Sequence, residues 1–483
     1  MADPIVHDTL FIGGELVAPA GTGVIEITNP STEEPYGRVP EATTADVDAA
    51  VAAAREAFDH GPWPTMSPKE RGDVLAAVSA AVTADMQGIA ELISGEMGSP
   101  LGFSLMGQVF AATMIADQYV GLASTHPFTD VRPGMMGPSE VRKVPVGVAA
   151  AVIPWNVPLF AAMIKLAPAL VAGCTVVLKP APETPLSAYV LAQLLVDAGL
   201  PPGVVNVVPA GREVGEHLVT HPGVDKVSFT GSTAVGRRIG ALCGELLRPV
   251  TLELGGKSAA ILMPDADVAT AVAGIVPNGI MNNGQACVAQ TRILAPRDRY
   301  AEAVEAVTEA VGALKVGDAL DPETEVGPLV AERQRTRVEE YIASGREQGA
   351  RVTTGGGRPA GLDRGWFVEP TVFADADNSM RIAREEIFGP VLTLIPYDGV
   401  DDAVAIANDS DYGLSGSVWG ADHDAAADVG RRVRTGTMNI NTFMMDMCSP
   451  FGGFKASGIG RELGPEGLEA YLETQTIAHL AQG

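Results

Sequence analysis

Cys287 sits in a polar, glycine-bearing stretch, Asn282-Asn283-Gly284-Gln285-Ala286-Cys287-Val288-Ala289-Gln290, away from the apolar runs of the chain. A thiolate is a strong nucleophile, and a nearby base or a set of backbone donors raises its fraction at neutral pH. An inert core cysteine satisfies the same segment equally well. Upstream, Leu252-Glu253-Leu254-Gly255-Gly256-Lys257 places a lone carboxylate at the end of an apolar strand, beside two glycines that let backbone and ligand come close. Desolvation there raises a carboxyl pKa toward that of a general base. An acid facing water at a strand end is the plainer alternative. In Ile153-Pro154-Trp155-Asn156-Val157-Pro158 two prolines stiffen the backbone around an amide. Asn156 could then donate to a developing oxyanion, or simply close a turn.

Two further segments suit a nucleotide. Phe229-Thr230-Gly231-Ser232-Thr233-Ala234-Val235-Gly236 joins a strand to a helix, whose free N-terminal amides can hold a diphosphate. It is not a G-x-G-x-x-G fingerprint, and one Gly-x-x-x-x-Gly spacing is weakly specific. Leu178-Lys179-Pro180 sets an ammonium at the C-terminal end of a neighbouring strand, near where a ribose or phosphate lies in a doubly wound sheet. A solvated surface lysine is the alternative there.

The elements that must position these residues alternate along the chain. Strands are expected at 175–178, 204–208, 226–229 and 250–254, with helices at 186–198, 214–219 and 232–247 between and after them. That alternation predicts a parallel, doubly wound α/β sheet. A second α/β stretch follows Gly255-Gly256 as far as about Ser457, with helices at 300–313, 332–347, 401–408 and 421–433. Amphipathic helices are expected earlier, at 45–58 and 68–94. Ser67, Pro68 and Glu70 open the second as cap, first-turn proline and capping-box acid. Strands at 139–144 and 469–477 complete the pattern.

Composition narrows the function classes. At 483 residues the chain exceeds one core, so two or three domains are expected. Its 59 acidic against 33 basic side chains leave a net charge of -26, which excludes a nucleic-acid backbone as the natural partner. The 4 cysteines are far apart, unlike a secreted disulfide framework, and a reducing, cytoplasmic setting is expected. No Cys-x-x-Cys or histidine pairing of metal-ligand type is read among them and the histidines, so no metal site is expected. The first thirty residues carry Asp3, His7, Asp8 and Glu15 without the apolar run of a signal peptide. The longest apolar run, Val144 to Ile153, is too short to cross a bilayer.

Several segments in order resemble the aldehyde dehydrogenase superfamily: Pro154-Trp155-Asn156, Lys179-Pro180, Phe229 to Ser232, Glu253 to Lys257, Gly284 to Cys287, Glu385 to Pro390 and Pro450 to Gly458. The likeness runs from about Leu10 to Ile477. It implies a Rossmann-type dinucleotide-binding domain (1–122 and 146–255), an α/β catalytic domain (256–457), and a small β oligomerisation element (123–145 and 458–483) that joins subunits into dimers or tetramers. It also implies that Cys287 attacks an aldehyde while Asn156 and the Cys287 N–H hold the oxyanion. Hydride then passes to NAD or NADP, and a water activated by Glu253 hydrolyses the thioester.

By the same resemblance Lys179, Trp155, Gly231, Ser232, Glu386 and Phe388 contact the cofactor. Val157, Phe160, Ala161, Ile164 and Val288 line the substrate tunnel, with Phe443, Met444, Met445, Met447 and Phe451 opposite. Such a lining favours a medium-chain, aromatic or terpenoid-like aldehyde over a phosphorylated or carboxylated one. Methionines of an ordinary core are the alternative reading. One departure concerns the cofactor: Pro182 stands where many NAD-preferring relatives carry an acid. NAD is therefore expected to be preferred by less than about a hundredfold, with NADP still accepted. A coenzyme-A-acylating relative usually lacks the acid present here at Glu253, and a non-catalytic member of the fold would not need all three catalytic positions filled.

Overall fold

A computed structural model describes residues 4–480; residues 1–3 and 481–483 of the expected terminal segments lie outside the described residues. Five parallel strands, Val148–Val152, Thr175–Lys179, Val205–Val207, Lys226–Thr230 and Val250–Glu253, form the centre of an eight-stranded sheet. They are apolar, rich in β-branched residues and almost wholly buried, as strands covered by helices on both faces must be. The chain lays 175–179 and 205–207 to one side of 148–152, then returns to place 226–230 and 250–253 on the other. Such a sheet opens its ligand crevice at the reversal, beyond the carboxyl ends of the two flanking strands. Those ends carry Ile153 to Asn156 and Gly231-Ser232.

A seven-stranded sheet holds the second half of the chain. Its order is Arg351–Thr354, Thr371–Ala374, Val391–Tyr397, Arg292–Pro296, Ala259–Leu262, Gly416–Trp419 and Asn439–Ile440, parallel except for the first pair. Only the stretch from Leu254 to Ser258 separates the last parallel strand of one sheet from the first strand of the other. Ser457 cross-braces that stretch: its Oγ donates to Gly255 O at 2.7 Å and accepts from Gly413 N at 3.0 Å. A three-stranded antiparallel sheet, Leu472–Ala478, Ser139–Pro145 and Thr129–Arg132, stands apart with largely exposed outer strands.

Several expected boundaries are corrected. The helix expected over 68–94 is two helices, Pro68–Ala84 and Met86–Met97, because Asp85 leaves the helical region at φ -124 and ψ 35. Hydrophobic periodicity continues across one such residue and does not register it. The capping box at its start is present, with Ser67 N donating to Glu70 Oε2 at 2.7 Å. The last strand begins at Leu472; Gly464–Glu469 before it is helical, with Pro465 in the first turn, where its fixed φ suits a helix. Gly458–Ile459 pairs with Val250–Glu253 in the eight-stranded sheet and not with the small one. Two helices, the buried Pro158–Ala172 and the half-buried Val268–Ile280, have no place in the sequence pattern, since both are apolar on nearly all sides and contain a proline.

Gly236 sets how closely the Thr233–Glu245 helix approaches the sheet. A Cβ there would lie 2.3 Å from Leu254 Cδ2. Gly236→Val is expected to cost about 1–3 kcal/mol through overpacking, read as a lower midpoint in urea unfolding. A variant as stable as the parent would show that the helix can move off the strand freely.

Candidate active site

The loop that carries Cys287 is held by amides. Asn282 and Asn283 take left-handed backbone angles, φ 52 and 61, which asparagine tolerates better than most residues. Asn283 Nδ2 donates to Gly98 O and Pro328 O, both at 2.8 Å, and its Oδ1 accepts from Gly327 N at 2.6 Å. Gln285 Oε1 accepts from Val330 N at 3.1 Å. Asn282 Nδ2 donates to Asn156 O at 2.8 Å, and Asn156 Nδ2 donates to Gln285 O at 2.8 Å. The Asn156 side chain is thereby tied to the nucleophile loop while one of its two amide hydrogens stays unspent.

Cys287, Glu253 and Asn156 line one cavity of about 720 Å³. Gly256 makes this possible, because a Cβ on it would lie 2.3 Å from Cys287 O. Glu253 is only 2 % exposed, and neither of its carboxylate oxygens has a hydrogen-bond partner among the described residues. Burial, reinforced by the nearby Glu462 carboxylate, holds its carboxyl well above the usual range. Lys165 tempers that field; its buried Nζ donates to Glu462 Oε1 at 2.5 Å, Thr230 Oγ1 at 2.8 Å and Ser228 Oγ at 3.1 Å. Burial also pushes the Cys287 thiol up, with Glu253 and Glu386 adding to the effect.

The same cavity brings together Trp155, Gly231, Ser232, Glu386 and Phe388. Ser232, which lines the cavity, caps the Thr233–Glu245 helix, its Oγ accepting from Val235 N at 3.4 Å, so the helix starts at the cavity wall. Glu386 Oε1 accepts from Gly256 N at 2.9 Å, and burial raises its carboxyl to about 7. Lys179 and Pro182 lie outside the cavity wall. Lys179 is buried at its strand end, its Nζ donating to Pro180 O at 3.0 Å, and burial lowers its ammonium to about 8. A helix N-terminus, a carboxylate able to accept from hydroxyls and a buried ammonium with donors to spare form a donor set that fits the diphosphate and riboses of a dinucleotide.

Val157, Phe160, Ala161, Ile164 and Val288 line the cavity as expected, as do Phe443, Met445, Met447 and Phe451. Met444 does not: it is 63 % exposed, and its N–H donates to Asn439 Oδ1 at 3.1 Å. Sequence reasoning missed a second apolar wall. Phe103, Met106, Phe110 and Met114 line the cavity from a π-helical turn, Ser104–Phe110, that runs into the Ala111–Thr125 helix. The signal was present, since Met106, Phe110 and Met114 recur at the four-residue spacing of one helix face. Arg333, Gln334 and Arg337 of the Glu332–Glu347 helix were missed too; they reach the cavity from the other sheet.

The histidine reading also needs correction. His217 and His221 are four residues apart in the sequence, and with Asp48 they form a cluster of metal-ligating type on the surface. Gly223 N donates to His221 Nδ1 at 3.0 Å, which leaves the His221 proton on Nε2, directed at Asp48 Oδ1 3.4 Å away. In that tautomer His221 Nε2 has no lone pair for an ion, and Asp48 is left to His217, whose Nε2 lies 2.6 Å from its Oδ1.

Residues 17–477 match the model of the aldehyde dehydrogenase family. The chain belongs to the aldehyde dehydrogenase family. It is 50 % identical to a geranial dehydrogenase of Castellaniella defragrans, over 98 % of this chain and 99 % of that one. An aldehyde dehydrogenase of Mycobacterium tuberculosis complexed with NAD+ superposes with a TM-score of 0.98 at 51 % identity, covering 100 % of both chains. A mutant of aldehyde dehydrogenase C from Pseudomonas syringae, complexed with NAD+ and octanal, superposes at 0.95 with 42 % identity, over 99 % of this chain and 98 % of that one. The reaction class of the chain is accordingly that of an aldehyde dehydrogenase, oxidation of an aldehyde to a carboxylic acid.

The raised thiol of Cys287 has a direct consequence in the free aldehyde dehydrogenase. Its thiolate fraction is small at pH 7 and grows about tenfold per pH unit. In a Cys448→Ala background, iodoacetamide labelling of Cys287 should still be accelerating above pH 9. A plateau between pH 7 and 8 would show a thiolate stabilised by an opposing charge.

Proposed function

We propose that this aldehyde dehydrogenase oxidises a medium-chain or terpenoid-like aldehyde, with NAD as preferred acceptor and NADP also used. The observation that carries the proposal is the apolar cavity, walled by Phe103, Met106, Phe110, Phe160, Phe443 and Met445, that also holds Cys287 and Glu253. Methionine and phenylalanine fill space around an alkyl chain and offer nothing to a phosphate or second carboxylate. The geranial dehydrogenase and the octanal-bound relative handle aldehydes of this kind.

In the mechanism we propose, the Cys287 sulfur adds to the carbonyl carbon. The unspent Asn156 amide hydrogen and the Cys287 N–H donate to the resulting oxyanion. Thr230, Gly231, Ser232, Glu386 and Phe388, with Lys179 behind them, would hold the dinucleotide, which supplies the hydride acceptor. Collapse of that oxyanion, with loss of the carbon-bound hydrogen as hydride to this acceptor, leaves a thioester on Cys287; Glu253 then takes a proton from the water that attacks the thioester and returns it to the departing sulfur, freeing the acid and restoring the thiol. A carboxylate with no partner is suited to bind that water. This hydrolytic role of Glu253 also favours release as free acid over transfer to coenzyme A.

We also propose that the eight-stranded sheet carries the dinucleotide and the seven-stranded sheet the nucleophile. The exposed small sheet would join copies of the chain into a dimer or tetramer. The four free cysteines suit a reducing cytoplasm.

Cys287→Ala should abolish hydride transfer. Glu253→Gln should keep a stoichiometric burst of reduced cofactor but slow turnover by about a hundredfold. Because the Glu253 carboxyl is raised and must be ionised to act, parent turnover should climb with pH over a range above that of an ordinary carboxylate. Stopped-flow absorbance reads all three, and equal loss of burst and turnover in Glu253→Gln would remove Glu253 from the hydrolytic step.

With saturating NAD, kcat/KM should rise from propanal to octanal, since each buried methylene contributes about 0.8 kcal/mol, and geranial should rank with octanal. Better use of succinic semialdehyde or glyceraldehyde 3-phosphate would sink the substrate assignment.

A further inference from the structure

Pro182 removes the acid expected in this loop, and the next residue has been turned to another use. Glu183 Oε1 pairs with Arg333 Nη2, and the side chains are 20 % and 61 % exposed. Arg333 lines the cavity on the Glu332–Glu347 helix, which belongs to the seven-stranded half; Glu183 follows Thr175–Lys179 of the eight-stranded half. The pair therefore spans the two halves at the cavity.

The contacts continue from this pair into a closed circuit. Gln334, beside Arg333, donates from Nε2 to Phe388 O at 2.6 Å. The Phe388 ring meets the Trp155 ring edge-on, with centroids 5.3 Å apart at 85°. Trp155 O accepts from Thr184 Oγ1 at 3.1 Å, and Thr184 adjoins Glu183. Arg333, Gln334, Phe388 and Trp155 all line the cavity, as do Ser232 and Glu386.

Two links in this circuit are suited to part. An exposed ion pair is weak and screened by salt. Phe388 holds φ 63, a left-handed angle that a bulky residue adopts only under constraint from its surroundings. The hydrogen bonds to Phe388 O and Trp155 O, in contrast, are made from the buried side chains of Gln334 and Thr184.

We propose that Glu183 and Arg333 are positioning residues for the dinucleotide: their ion pair clasps the circuit shut across the crevice and slows cofactor departure. The proposal rests on the assignment of Gly231, Ser232, Glu386 and Phe388 to NAD. Neither residue touches the reacting atoms, so the clasp acts on cofactor residence and leaves the thiol chemistry unchanged.

The test is NADH dissociation, followed by stopped-flow loss of its protein-bound fluorescence on displacement with excess NAD. Glu183→Gln and Arg333→Gln should each release NADH about two- to fivefold faster, the span expected of an exposed ion pair. Raising NaCl from 50 to 500 mM should speed release from the parent but not from either variant. The exchanged pair, Glu183→Arg with Arg333→Glu, should restore slow, salt-sensitive release. Cys287 alkylation at fixed pH should be the same in every form. Unchanged release rates with the same salt response as the parent, or a lower thermal midpoint as the sole effect, would overturn the clasp. Failure of the parent to bind NADH at all would instead overturn the cofactor assignment on which it rests.

Discussion

The close approach of Gly256 to the Cys287 carbonyl is the constraint on which the site depends. The Leu254–Ser258 stretch runs from one large sheet to the other, and the loop after Asn282 must come against it for nucleophile and carboxylate to share a cavity. With 2.3 Å between a virtual Cβ and Cys287 O, any side chain at 256 would force the two segments apart. Gly255 is in the same position toward Glu386, where a Cβ would fall 2.4 Å from Oε2. Cys287, Glu253 and the Glu386 carboxylate are therefore brought together by backbone contact between the halves of the molecule.

Desolvation is what this contact produces. The cavity is apolar along most of its wall, so ionisable groups that face it resist charge: Glu253, Cys287 and Glu386 are all raised, and Lys179 is lowered at the crevice edge. Glu386, raised to about 7, and Lys179, lowered to about 8, are thereby poised to exchange protons near physiological pH. Against this background the buried Lys165–Glu462 pair, with its two hydroxyl partners, keeps a compensated charge next to Glu253. The same apolar wall that disfavours charge favours an alkyl chain, so substrate choice and acid–base tuning have one physical origin.

Much of the fold was legible because period and punctuation carry it. Alternating short strands and helices after Thr175, the Ser67–Glu70 cap and the Gly-bearing turns point to a doubly wound sheet, and its strand ends are where ligands bind. The helices Pro158–Ala172 and Val268–Ile280 were not legible, because each is apolar on nearly all sides, although the second exposes Ala269, Thr270, Ala273 and Pro277, and such a helix offers no clear polar stripe to read. The second wall of the tunnel was hidden for another reason: Met106, Phe110 and Met114 look like core residues until the π-helical turn aims them into a cavity.

By itself, the sequence determined the reaction class, oxidation of an aldehyde. Cys287, Glu253 and Asn156 each stand in a local context that limits what the residue can do, and turn glycines and helix caps are written in single residues. Tertiary structure alone decided which groups meet. Met444 and Met445 are chain neighbours, yet only one faces the cavity. Glu183 is a lone acid in the sequence until a helix from the other sheet supplies Arg333, and His221 has a metal ligand's spacing but a tautomer set by Gly223. These outcomes depend on contacts between residues far apart in the chain or on the orientation of one side chain, and neither local propensity nor periodicity encodes them.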